Sequence, residues 1–171
     1  MTNTSTQEFV ITREFKAPRA LVFQVWSDVN HLKNWISPKG TTVEYIKSDI
    51  RPGGTAFYKM NTQGGAMYGK VEYKEITPIS KLVYMQYFSN EKEEITRHPM
   101  SATWPQAMQT TVVFEDKGAN TLLTLTWTPV GANAEEMKTF VDAMAGMNQG
   151  WSGSFAQLDQ YLQANTSEER K

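Results

Sequence analysis

Two histidines, His31 and His98, and no cysteine make up the whole supply of side chains that titrate or attack near neutral pH. Without cysteine, thiolate nucleophiles, disulfides and Cys-based zinc sites are excluded together. No Gly-x-Ser-x-Gly elbow is present, nor a His-Glu-x-x-His helix or an EF-hand loop. Gly53-Gly54 and Gly64-Gly65 are short turns, and neither opens the helix that a phosphate-binding loop requires. The acidic run Glu91, Glu93, Glu94 reads as a solvated loop rather than a metal site. No metal and no cofactor are expected. His31, in His31-Leu32-Lys33-Asn34-Trp35, reads as a capping or packing residue. His98 lies in Ile95-Thr96-Arg97-His98-Pro99-Met100, inside a polar stretch covering residues 89–105. It is either a loop histidine held by Pro99 or a polar group at a cavity mouth, able to move protons near neutral pH.

The abundant resource is apolar and aromatic. Nine methionines and five tryptophans are a generous supply for the length. Methionine fits irregular spaces, and tryptophan offers a large area with one donor. That chemistry suits recognition of a small apolar or amphipathic molecule, although core filling accounts for most such residues. The candidates to face the interior are Phe57, Tyr73, Met85, Tyr87, Met108 and Trp127 on strands, with Met144, Met147 and Trp151 on a helix. Tyr68, Tyr87, Gln109, Arg97, His98 and Trp104 are the polar groups that would orient a guest. Strand faces depend on register, and a one-residue slip exchanges them.

The elements that must position these residues follow from periodicity. Residues 8–15 alternate, with Phe9, Ile11 and Phe15 on one side, which predicts a half-buried strand. Pro18 fits the first position of a helix carrying Leu21, Val22, Val25 and Trp26. Asp28 fits the cap of a second short helix with Leu32 and Trp35, and Pro38-Lys39-Gly40 closes the pair. A period of two then returns for six strands, at residues 41–50, 55–61, 68–76, 82–88, 107–115 and 121–128. Short turns such as Arg51-Pro52-Gly53-Gly54 favour an antiparallel meander. Asn133 and Glu136 match a capping box. Beyond it Phe140, Met144, Met147, Trp151, Phe155, Leu158 and Leu162 form one helical stripe, predicting a helix over residues 134–163 about 45 Å long. Gly146, Gly150 and Gly153 weaken it, so the helix requires tertiary support or bends.

The chain has 171 residues, a formal net charge of −1, 40% hydrophobic and 20% charged residues. These values fit a single globular domain. The charge balance offers no field for nucleic acid. No apolar run reaches the roughly 20 residues of a membrane span, and residues 1–7 lack a signal-peptide core, so a cytoplasmic protein is expected. Exposed sheet edges leave a homodimer open.

The order strand, two helices, six strands and long helix resembles the START-like (SRPBCC) helix-grip superfamily. It is most similar to the activator of Hsp90 ATPase homologue 1-like branch. The resemblance is carried by Arg13-Glu14-Phe15-Lys16-Ala17-Pro18, His31-Leu32-Lys33-Asn34-Trp35, Asp49-Ile50-Arg51-Pro52-Gly53-Gly54, Thr121-Leu122-Leu123-Thr124-Leu125 and Gly150-Trp151-Ser152-Gly153-Ser154-Phe155-Ala156-Gln157-Leu158. It implies an α+β, START/Bet v 1-like helix-grip fold over residues 8–163. In that fold a curved antiparallel sheet of about seven strands wraps a long C-terminal helix, with residues 1–7 and 166–171 as flexible termini. It further implies a hydrophobic ligand cavity between sheet and helix. The superfamily also includes cyclases and hydrolases, for which Tyr87, Glu93, Arg97 and His98 would have to reach the cavity. A chaperone partner is implied by the family name, although the chain shows no counterpart of the co-chaperone's separate N-terminal domain.

Overall fold

The structure, a computed structural model, describes residues 7–37, 40–98 and 101–169, with side chains described as far as residue 164. Pro38-Lys39, Pro99 and most of both expected flexible termini lie outside the described residues.

Alternation in β1 (Phe9–Phe15) turns Phe9 and Phe15 inward, and α1 (Arg19–Ser27) follows at once. Pro18 stands at the N-cap of α1, one position ahead of the expected place. Asp28 caps α2 (Val29–Leu32), its carboxylate accepting the Asn30 N–H at 2.9 Å. The meander comprises β2 (Thr42–Ser48), β3 (Thr55–Thr62), β4 (Gly65–Thr77), β5 (Lys81–Ser89), the two-residue β6 (Ile95–Thr96), β7 (Ala107–Lys117) and β8 (Asn120–Val130). All pairings are antiparallel. The strand order is β1-β8-β7-β5-β4-β3-β2, with β6 beside the end of β5. The first two long strands in sequence are therefore the two edges of the sheet. Twist accumulated over this many strands curls the sheet and gives it a concave face.

The C-terminal helix fills that face in two segments, α3 (Ala134–Asp142) and α4 (Met144–Glu169). The expected unbroken helix is interrupted at Ala143, whose N–H is shared between the carbonyls of Thr139 and Phe140 at 3.2 and 3.1 Å. The break spares all three glycines, and the helix continues past residue 163 to Glu169. The capping box forms, with Asn133 and Glu136 exchanging side-chain and backbone bonds at 2.8 and 3.0 Å.

Phe140, Met147, Phe155, Leu158 and Leu162 of the stripe are buried in the core. The polar residues beside them grip the α2 segment. Gln157 donates to the carbonyls of Trp35 and Ser37 at 3.1 and 2.9 Å, and Ser154 to that of Ile36 at 3.4 Å. His31 shares a 2.6 Å hydrogen bond with the Tyr161 hydroxyl, and Arg13 of β1 pairs with Asp159. Three consecutive carbonyls beyond α2 thereby accept hydrogen bonds from α4. These contacts give the Gly150–Leu158 motif a structural meaning: it ties sheet, helical pair and long helix into one frame.

Candidate functional site

Between the concave face and α4 lies a pocket of about 410 Å3. This is within the roughly 300–1,000 Å3 of small-molecule sites. Its helical wall is Trp26, Leu32, Ile36, Met147, Gly150, Trp151 and Ser154. The indoles there are mutually packed. Trp151 stacks on Trp26 at 6.1 Å and meets Trp127 of β8 edge-on at 5.5 Å. Trp26 also abuts Trp35, whose N–H donates to the Val25 carbonyl at 3.0 Å.

The sheet wall is richer in tyrosine than the sequence reading anticipates. Tyr45, Tyr58, Tyr73 and Tyr84 all line the pocket, with Gln86 among them. Tyr45 pairs with Tyr58 across β2 and β3, and Tyr73 with Tyr84 across β4 and β5. Ring centroids in the two pairs are 5.9 and 5.8 Å apart. Tyr58 lies flat over Gly69: a Cβ there would come within 2.2 Å of its ring. Glycine at that place lets the phenol cross β4 to the Gln86 amide. The Thr110 hydroxyl donates to Gln86 at 2.9 Å and also neighbours the Tyr84 hydroxyl.

Burial pushes the Tyr58 phenol up to about 12, although Gln86 partly offsets it. Burial likewise raises Tyr45, Tyr73 and Tyr84, and neighbouring phenols add to the shift in Tyr45 and Tyr84. All four stay protonated at neutral pH and act as hydrogen-bond donors, not bases. A phenol raised on folding contributes stability that is complete below its unfolded value, about 10, and lost as pH rises through the folded one. The thermal midpoint should therefore hold to about pH 10 and fall between there and about pH 12, the window set by Tyr58. A midpoint flat across that window in Tyr58→Phe and wild type alike would show that these phenols are solvated.

The third wall is the excursion between β6 and β7. Trp104, Pro105 and Gln106 border the pocket. The segment is fastened to α3 by Arg97–Glu136 at 2.7 Å and by Thr139 donating to Thr103 at 2.8 Å. Trp104 also contacts Phe140 at 6.1 Å. The Arg97 guanidinium holds the Glu136 carboxyl below the usual range, with the Asn133 backbone assisting. Outside this wall Arg97 and Glu136 border a second, shallower depression with Ile95 and Val130.

Of the residues expected to face a ligand, Tyr73, Tyr87, Trp104, Met108, Trp127, Met147 and Trp151 line the pocket. Phe57, Met85, His98 and Met144 do not. On β3 the inward set is Ala56, Tyr58 and Met60, which sends Phe57 to the outer face, where it stacks on Tyr68 at 5.8 Å. Met85 stands between the inward-facing Tyr84 and Gln86 and so also faces outward. Gln109, between Met108 and Thr110, takes the outer face as well. Tyr87 borders the pocket, but its hydroxyl turns to Glu72. Met144 packs against the core near the helix break. His98 lies behind the wall, its ring 4.8 Å from Phe88 and 6.3 Å from Trp104. Partial burial lowers its pKa. Glu93 pairs with Lys47 at 2.9 Å, away from the pocket lining.

Among the described residues no three of His, Cys, Asp and Glu converge on a metal position. No helix is long and apolar enough to cross a membrane.

A curved antiparallel sheet closed over a long C-terminal helix, with a pocket between them, defines a helix-grip protein. The chain belongs to the family of activator of Hsp90 ATPase homolog 1-like proteins, whose model matches residues 16–163. Comparison with curated proteins gives no match. Among solved structures, a protein from Arthrobacter aurescens is similar over 95% of this chain and 93% of its own, at 22% identity and TM-score 0.76. A Mycobacterium smegmatis protein is 22% identical over 93% of this chain and 96% of its own, at TM-score 0.74. The AHSA1 protein of Silicibacter pomeroyi is 17% identical over 93% of this chain and 99% of its own, at TM-score 0.68. Such identities establish a shared fold.

Proposed function

We propose that this protein binds an uncharged, largely apolar small molecule between its sheet and its C-terminal helix. One observation carries the reading. Among the described residues no lysine, arginine, histidine, aspartate or glutamate lines the pocket, while tryptophan, tyrosine and methionine line it on every side. A charged guest would leave water without meeting a counter-charge, at a cost of several kcal/mol. A flat neutral guest instead meets ring faces and polarizable sulfur. Binding without chemistry is favoured because the phenols are too weakly acidic to act as bases at neutral pH. His98 sits behind Phe88 and Trp104 rather than in the pocket.

The test uses fluorescent naphthalene dyes. The neutral deoxo analogue of prodan, with a propyl chain in place of the propionyl group, should bind saturably, read as a rise in fluorescence anisotropy. Anionic anilinonaphthalene sulfonate should bind at least about tenfold more weakly, a difference of about 1.4 kcal/mol. Equal affinity for the two dyes, or no saturable binding of either, would refute the reading.

A further inference from the structure

Two of the five tyrosines that line the pocket have work to do that the protein itself does not supply. Tyr58 and Tyr84 have the Gln86 and Thr110 side chains as polar neighbours. The hydroxyls of Tyr45 and Tyr73 have no hydrogen-bond partner among the described residues. Tyr73 is only 4% exposed, and it lines the pocket. Neither hydroxyl is among the buried atoms without a partner, which among the described residues are the Trp26 and Trp127 indole nitrogens, so both phenol oxygens open onto pocket space that a guest can reach.

The backbone singles out the same two residues. β2 carries a bulge immediately after Tyr45, where the register jumps from Tyr45–Tyr58 to Lys47–Phe57 and Ile46 is left over. β4 carries another immediately after Tyr73, where it jumps from Tyr73–Tyr84 to Glu75–Val83 and Lys74 is left over. Bulges bend a strand and re-aim the side chain beside them, and they recur next to binding sites. Each bulge here stands beside one unpartnered phenol, and each leaves its extra residue, Ile46 and Lys74, on the exposed side. The Tyr73 phenol is also close enough to add to the upward shift that burial gives Tyr45.

We infer that the pocket selects a guest bearing a carbonyl-type oxygen, which accepts hydrogen bonds from the Tyr45 and Tyr73 hydroxyls while its apolar body lies against Trp26, Trp127 and Trp151. This rests on the binding function proposed above and narrows the class of ligand. An sp2 oxygen has two lone pairs and can accept from both phenols at once. A guest lacking an acceptor would leave both donors buried and unpaired, and it is by that penalty that polar sites reject near-isosteres.

The experiment compares the ketone dye prodan with its deoxo analogue in the wild-type chain, in Tyr45→Phe, in Tyr73→Phe and in the double variant. The wild type should favour the ketone by about tenfold. The double variant should lose that preference while its affinity for the deoxo dye is unchanged. Bound prodan should emit further to the blue in the double variant, because hydrogen bonding to its carbonyl red-shifts emission. Thermal midpoints identify any variant that fails to fold, and the wild-type preference is decisive without the variants. If the wild type binds both dyes equally, the hydroxyls serve water rather than a ligand, and this inference falls while the binding function stands. A ketone preference that survives in the double variant overturns it as well. Absence of saturable binding by either dye overturns both readings.

Discussion

Gly150→Leu should close the pocket to guests and leave the fold at least as stable as before. Gly150 borders the pocket from α4, and a Cβ placed on it would meet nothing within 4 Å. Helical side chains lean toward the N-terminus. A leucine at 150 therefore extends toward Met147, one turn earlier, which lines the same space. Glycine in a helix interior costs about 1 kcal/mol relative to a good helix former. For a domain of this size that gain corresponds to a rise of about 2–4 °C in thermal midpoint. The affinity for neutral naphthalene dyes should fall by at least about tenfold. Gly146→Leu is the matched control: its site is equally open but lies outside the pocket lining, so it should stabilise without weakening binding. Unchanged dye affinity in Gly150→Leu would place the guest elsewhere. The pairing of higher stability with lost binding separates a pocket kept for a ligand from a loosely filled core.

The grip itself was legible because it depends on long periodic signals. The stripe from Phe140 to Leu162 and the alternation of β1, β7 and β8 are repeated often enough to survive local irregularity. The pocket face was harder to read because it depends on single-residue phase. In β3 both Ala56 and Phe57 are buried, and the larger apolar residue faces away from the pocket. In β5 Tyr84 and Met85 are both buried, and the more apolar Met85 faces away. Hydrophobicity therefore pointed to the wrong member of each pair. The tyrosine wall is built from residues that alternate correctly but read as polar or edge positions. A usable signal was nonetheless present in β4, where Val71, Tyr73 and Ile76 step by two and then three. An odd step in an otherwise even series marks a bulge. The helix break at Ala143 has no such marker, since neither proline nor glycine stands there and the capping bonds are made by backbone alone.

The largest loss of stability is expected from Gly54→Ala, and its cause links the fold to the site. A Cβ at Gly54 would lie 2.0 Å from the Asp49 carbonyl oxygen and 3.0 Å from that of Arg51. Backbone is what obstructs it, so no side-chain rotation can relieve the overlap. The turn it would force open is bonded closely. The Gly54 N–H donates to Arg51 at 2.8 Å, the Tyr73 N–H donates to Gly54 at 2.9 Å, and the Gly53 N–H donates to Tyr73 at 2.8 Å. Residues 53 and 54 thus hold both backbone groups of Tyr73 one step before the β4 bulge. Overpacking of this kind costs about 1–3 kcal/mol, with the upper end expected where backbone must move. The midpoint should drop by about 5–10 °C. Gly53→Ala provides the comparison: its φ of +85° is strained for alanine, but a Cβ there meets nothing within 4 Å. It should cost only about 1 kcal/mol. Because the same opening displaces Tyr73, Gly54→Ala should also reduce the preference for a ketone guest, at temperatures where the variant remains folded. Gly53→Ala should preserve that preference. If Gly54→Ala proves no more damaging than Gly53→Ala, the turn yields freely and Tyr73 owes its position to packing within the pocket rather than to the backbone bonds that flank it.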